Sequence, residues 1–142
     1  MTRRMTIGTD LVHVPGFAEQ LARPGTRFAE VFSATERRVA DAYPEGARRA
    51  EHLAGRWAVK EAFLKAWSQA RYGAPPVLTG TEVVWRDIDT RPDAWGRIAL
   101  HVSGVVRQAV DRSLGDGWGA EVSVSHDGDY ALATCLLTFD AQ

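Results

Sequence analysis

Between Met5 and Val14 the β-forming residues Ile7, Leu11, Val12 and Val14 predict a first strand, interrupted by Gly8-Thr9-Asp10 and ended by Pro15-Gly16. A short helix is expected over Phe17 to Ala22, closed by Pro24-Gly25. Ser33-Ala-Thr-Glu36 has capping-box spacing, which predicts a helix from Ala34 to about Ala42, broken by Pro44 and Gly46. The longest helical pattern runs from about Ala47 to Arg71 and stops before Gly73-Ala-Pro-Pro76. Thr81 to Ile88 and Arg97 to Val102 read as strands, and Ser103 can cap a helix that ends at Leu114 before Gly115. Glu121 to Ser125 and Tyr130 to Phe139 flank Asp127-Gly128, a hairpin signal. Helices come early and antiparallel strands late. The expected fold class is α+β, a mostly antiparallel sheet packed against one long helix and shorter ones.

Length and composition narrow this picture. With 142 residues, 45% of them hydrophobic, one domain spanning residues 1–142 is expected, with enough apolar side chain for a core. The lone Cys135 excludes an internal disulfide and a Cys-based zinc cluster; its place in an alternating apolar run marks it as a buried small hydrophobe. Neither a signal peptide nor a membrane-length apolar run is found, so a cytoplasmic protein is expected, with no membrane partner. A net charge of −1 argues against a general nucleic-acid binder. Residues 1–60 carry ten Lys/Arg against seven Asp/Glu, so the N-terminal half is mildly basic, with pairs at Arg37-Arg38 and Arg48-Arg49. Such pairs suit a solvated helix face, or together an acidic partner.

The candidate chemistry lies on the long helix. Both lysines of the chain, Lys60 and Lys65, fall there, while the other fifteen basic residues are Arg. On a helical wheel Leu53, Trp57 and Leu64 share one face, widened by Phe63 and Trp67. Glu61 lies at one edge of that face, about 40° from Trp57, with Lys65 one turn further on; Arg56 and Lys60 lie on the opposite edge. The simplest reading is an i,i+4 Glu61–Lys65 surface pair. Asp10 is a second anomaly, an acid inside an apolar strand: a turn residue after Gly8, or a carboxylate held for a metal. Mg²⁺ takes one or two protein carboxylates and completes its octahedron with phosphate and water, and Asp10 with Glu61 would supply that number. His126, before the hairpin turn, is either an exposed polar tip or a group that reaches a phosphate or hydroxyl.

Taken in order, Ile7-Gly-Thr-Asp-Leu-Val12, Phe32-Ser-Ala-Thr-Glu36, Arg56-Trp-Ala-Val-Lys-Glu-Ala-Phe-Leu-Lys-Ala66 and Val122-Ser-Val-Ser-His-Asp127 resemble the signature blocks of the holo-acyl-carrier-protein synthases, short 4′-phosphopantetheinyl transferases. The resemblance runs from residue 5 to about 137. It implies the fold of that family and a Mg²⁺-dependent reaction. A serine hydroxyl of an apo acyl carrier protein attacks the phosphate of coenzyme A that bears pantetheine, and adenosine 3′,5′-bisphosphate leaves. By position, Asp10 and Glu61 would be the metal ligands. Arg56, Lys60 and Lys65 would face the three phosphates, with Ser125 and His126 nearby and His126 a hydrogen-bond donor. Glu61, directly or through a metal-bound water, would take the serine proton; Lys65 either holds phosphate or protonates the leaving group. The resemblance further implies a homotrimer with active sites between subunits, and an acidic carrier as partner for the basic half.

Two departures from the family pattern stand out. Many relatives have Arg six residues after the Asp of the first block, where this chain has Gly16, so carrier docking would rest on Arg23, Arg27 or other groups. Gly96-Arg97-Ile98 stands where many relatives have Gly-Arg-Pro, so an adenine contact made by that Pro does not carry over to this chain. Two other functions use the same blocks: a non-catalytic carrier-protein binding module, which has no need of metal carboxylates, and a Mg²⁺-dependent hydrolase of coenzyme A.

Overall fold

The first and last strands of the chain meet in one sheet. The computed structural model describes residues 2–141, and in it β5 (Tyr130–Asp140) lies between β1 (Arg3–His13) and β4 (Gly119–Asp127), antiparallel to both. A single register runs the length of the β1–β5 pair, from Arg3 opposite Asp140 to His13 opposite Tyr130. Strand alternation gives the sheet two unlike faces. One is buried, with Ala131, Ala133, Cys135, Leu137 and Phe139 on β5. The other leaves Met5, Ile7, Leu11, Tyr130 and Leu132 exposed.

The buried face is covered by α3 (Ala47–Ala70). The expected helix face is only half right. Leu53, Trp57 and Leu64 are partly buried, while the deepest positions are Ala54, Ala58, Ala62 and Ala66 with Val59 and Phe63. Small residues win because the strand comes very close. A Cβ built on Gly8 would lie 1.9 Å from the Ala62 carbonyl oxygen and 2.5 Å from the Ala66 nitrogen. Next to it the Thr6 hydroxyl donates to the Ala66 carbonyl at 2.7 Å. Gly8 is therefore the contact point that sets the distance between strand and helix. Two residues on, Asp10 points to the same side.

The remaining elements brace this pair of layers. α1 (Val14–Ala22) begins at Val14 rather than at Phe17: Pro15 fits a first helical turn, and His13 Nδ1 accepts from the Gly16 amide at 3.2 Å. α2 (Ala34–Asp41) starts at the expected capping box, with both Ser33–Glu36 hydrogen bonds formed. Between them a 3-10 turn, Phe28–Val31, was not foreseen. The strand expected over Thr81 to Ile88 is displaced. The chain forms a 3-10 turn at Trp85–Asp87, and only then β2 (Ile88–Pro92), which pairs with β3 (Ile98–Val102). Trp85 packs on Trp57 with ring centroids 4.6 Å apart and gives its carbonyl to Lys60, so it does not enter a ladder. α4 (Gly104–Leu114) follows Ser103, whose side chain makes no cap hydrogen bond, and packs by Trp67 Nε1 donating to Ser113 Oγ at 2.9 Å. Burial pushes the Cys135 thiol up to about 12, with Glu121 adding to it, consistent with an inert core residue.

Candidate functional site

The two lysines of α3 have opposite environments. Lys60 is fully buried, and its Nζ lies 2.8 Å from Glu36 Oε1, itself fully buried. The same ammonium donates to the carbonyls of Trp85 and Ile88. Glu36 also accepts from the Ser33 amide, from the Thr90 amide at 3.0 Å and from the Thr90 hydroxyl at 2.9 Å. Desolvation pushes the Lys60 pKa down, and Glu36, Asp89 and Asp87 pull it back. This network ties α2, α3 and β2 together. The expected role of Lys60 on a phosphate is therefore corrected: its donors are committed inside the core. Sequence reasoning gave Glu36 only the helix cap, because nothing local distinguishes a capping glutamate from one that also meets a lysine 24 residues on.

Asp10, Glu61 and Lys65 do come together. The Gly8 contact brings β1 against α3, and Lys65 Nζ lies 3.0 Å from Asp10 Oδ1. The lysine thus bonds across to the strand; the simple Glu61–Lys65 pair is not what forms. Glu61 is half-buried, and its carboxyl is held above the usual range, first by burial and then by the charge of Asp10, with Lys65 pulling it down. Two carboxylates this close repel each other, and one divalent cation between them would relieve both. No group of three or more His, Cys, Asp or Glu side chains converges among the described residues, and two carboxylates are what this corner could offer a cation. That suits a hard cation that keeps water and phosphate oxygens in its shell. Beside Lys65 a cavity of about 370 Å³ opens between α3 and the segment 74–83, lined by Leu64, Trp67, Ser68, Arg71, Leu78 and Val83.

A second, cationic cluster surrounds the first half of α3. His126 Nε2 lies 3.2 Å from the Glu51 carbonyl oxygen, and a Cβ on Gly55 would come within 2.7 Å of it. Gly55 thus makes room for the His126 ring on the helix. Arg56 and His52 complete the group. Burial holds Arg56 below its usual value, offset by Glu36 and Tyr43. Burial, then Arg56 and His126, push the pKa of His52 down to about 4. His52 Nε2 has no hydrogen-bond partner, and its ring rests on Tyr43 at 4.9 Å. The sequence reading passed over His52, which sits at no motif position. Ser125 belongs to the other face of the sheet, in a row with Leu132 and Leu11, and shares a shallow depression with His126, Asp127 and Tyr130.

From Arg56 to Lys65 is nine residues of helix, about 13 Å of rise. The chain therefore presents two separate half-sites, a carboxylate half with Lys65 and a cationic half with Arg56 and His126. A single phosphate cannot touch both.

A family model described as the 4′-phosphopantetheinyl transferase superfamily matches residues 6–135. The chain is 59% identical over 134 residues to the holo-[acyl-carrier-protein] synthase of Corynebacterium glutamicum, covering 94% of this chain and 98% of that protein. It is 43% identical over 132 residues to the synthase of the same name from Mycobacterium tuberculosis, covering 92% and 94%. A solved structure, an ACPS–CoA complex of Chronobacterium ammoniagenes, superposes with a TM-score of 0.93 at 55% identity, over 97% of this chain and 99% of that one.

Proposed function

The chain belongs to the 4′-phosphopantetheinyl transferase superfamily and is an enzyme of the holo-[acyl-carrier-protein] synthase kind, and from this premise we propose the following division of labour. The protein transfers 4′-phosphopantetheine from coenzyme A to a serine of an apo acyl carrier protein, with Mg²⁺, and releases adenosine 3′,5′-bisphosphate. The observation that carries this reading is the meeting of Asp10, Glu61 and Lys65 where β1 touches α3.

Asp10 and Glu61 would hold Mg²⁺, which supplies charge neutralisation on the diphosphate when bound. Glu61, directly or through a metal-bound water, would accept the serine proton as the hydroxyl oxygen bonds to phosphorus. The anhydride bond to the nucleotide phosphate breaks, and its charge would be met by Lys65, whose side chain is half exposed. The largely apolar cavity beside Lys65 gives room for the pantetheine arm. Phosphoryl-type transfer depends mainly on such positioning and charge stabilisation.

Arg56, Ser125 and His126 would serve a different coenzyme molecule, one bound mostly by a neighbouring copy. Two facts favour this. The half-sites are about 13 Å apart along α3. The open sheet face exposes Met5, Ile7, Leu11 and Leu132 by 67, 60, 61 and 41%, an apolar surface suited to self-association. A homotrimer with the site between subunits accounts for both. A cytoplasmic location suits this reaction, and no helix of the described residues is long and apolar enough to cross a membrane.

The decisive assay incubates the protein with apo carrier protein, coenzyme A and Mg²⁺ and weighs the carrier. A gain of one phosphopantetheine is expected. Tight carrier binding without a gain would leave the non-catalytic module, and nucleotide release without carrier would indicate hydrolysis.

A further inference from the structure

On an isolated helix, Glu61 and Lys65 at i,i+4 would pair. Here the Lys65 ammonium is given to Asp10 instead, at 3.0 Å. The two partners are unequal. The Asp10 side chain is only 13% exposed on a strand fixed by the Gly8 contact, while Lys65 is 54% exposed. The carboxylate is held on a packed strand, while the lysine reaches it from a largely solvated side. Asp10 also acts on Glu61, so this corner of the fold holds two mutually repelling acids and one mobile cation.

We propose that Lys65 is a resident substitute for the divalent cation: it neutralises Asp10 in the ligand-free protein and lets go of Asp10 when a divalent cation binds there. This rests on the metal assignment made above. No bond is made or broken in the exchange; one positive group replaces another beside a fixed carboxylate. The released ammonium sits on a flexible stem at the mouth of the cavity, where the coenzyme diphosphate offers it a new anionic partner. Lys65 thereby links the two ligands. Cation binding frees Lys65 for the diphosphate, and the diphosphate lowers the cost of removing Lys65 from Asp10. By reciprocity each strengthens the other.

Binding of Mn²⁺, a spectroscopically visible stand-in for Mg²⁺, tests this without turnover. Free Mn²⁺ is titrated by electron paramagnetic resonance against the full chain and its K65M, K65R and D10N variants, with and without coenzyme A. Without coenzyme A, K65M is expected to bind Mn²⁺ about two- to fivefold more tightly than wild type, the size that a half-exposed ion pair allows. K65R, which keeps a cation at the position, is expected to resemble wild type, and D10N to lose the site. Coenzyme A is expected to tighten Mn²⁺ binding in wild type by a larger factor than in K65M. A purely structural Lys65 would leave the Mn²⁺ affinity unmoved. Thermal melts of each variant separate these effects from unfolding, and K65Q repeats the measurement with a polar neutral side chain. If D10N loses Mn²⁺ but K65M and K65Q bind it no more tightly than wild type, the substitute role is overturned and the transferase reading stands. If D10N and wild type behave alike, the metal assignment falls and the substitute role with it.

Discussion

Lys60 and Lys65 stand five residues apart on one helix, each beside a carboxylate from another element, yet they are different devices. Lys60 and Glu36 are both fully buried, and their bonds go to backbone groups of packed segments: the carbonyls of Trp85 and Ile88 on one side, the amides of Ser33 and Thr90 on the other. Lys65 is half exposed and meets an acid that has other uses. A buried pair cannot rearrange without leaving a charge in the core. An open pair can exchange partners at small cost. Two residues of one type in one signature block thus divide into a fastener and a moving part, and burial alone separates them.

The largest effects are expected at the carboxylates of the open pair. Asp10→Ala and Glu61→Ala should each lower Mg²⁺-dependent turnover by ~10⁴-fold or more, since either change removes a ligand of the cation and the second also removes the proton acceptor. Their melting temperatures should stay close to wild type. Wild-type turnover in either variant would remove that residue from the metal site.

Next comes the fastener. Lys60→Met or Glu36→Gln leaves one partner buried without its counter-charge, and a stability loss of about 3–5 kcal/mol is expected by urea unfolding. Replacing both, as Lys60→Met with Glu36→Leu, would still orphan the Ser33 and Thr90 amides and should cost about 2 kcal/mol. A stable Lys60→Met protein with lost turnover would reverse the assignment and return Lys60 to the ligand. Lys65→Ala is expected to show the opposite pattern: a loss of turnover of ~10²-fold, with stability changed by no more than about 1 kcal/mol.

The same contrast explains what the sequence could and could not disclose. Local signals were readable because their physics is local: the Ser33–Glu36 capping box, the Asp127-Gly128 hairpin, and the long helix up to its Gly-Pro stop all form within one or two residues of expectation. Asp10 stood out because an acid inside an apolar strand needs a reason. The errors arose where a distant contact decided the outcome. The wheel ranked residues by size and chose Leu53, Trp57 and Leu64. The sheet instead chose the alanines, because Gly8 lets β1 approach the backbone of Ala62 and Ala66. Lys60 looked like an available cation because Glu36 and β2 are far away in the chain. The strand expected over 81–88 failed because Trp85 turns to Trp57 and Lys60. Ser125 and His126 leave the strand on opposite faces of the sheet, yet both line the depression beside the hairpin turn.

The smallest effect, absent at neutral pH, concerns the cationic half-site. His52 has its pKa pushed down to about 4 by burial, with Arg56 and His126 adding to it. In the unfolded chain an ordinary histidine takes up a proton near pH 6.5. Below that point the unfolded state binds a proton that the folded state refuses, so stability falls as pH drops from about 6.5 towards 4 and is unaffected above that window. The slope from this one group is at most about 1.4 kcal/mol per pH unit. His52→Phe keeps a ring against Tyr43 and removes the unpartnered Nε2. Its urea midpoint should match or exceed that of wild type at pH 7.5 and pull ahead at pH 5. Equal pH dependence in the two proteins would show that His52 takes up its proton as readily in the folded state as in the unfolded one, and would overturn its assignment as a buried neutral ring.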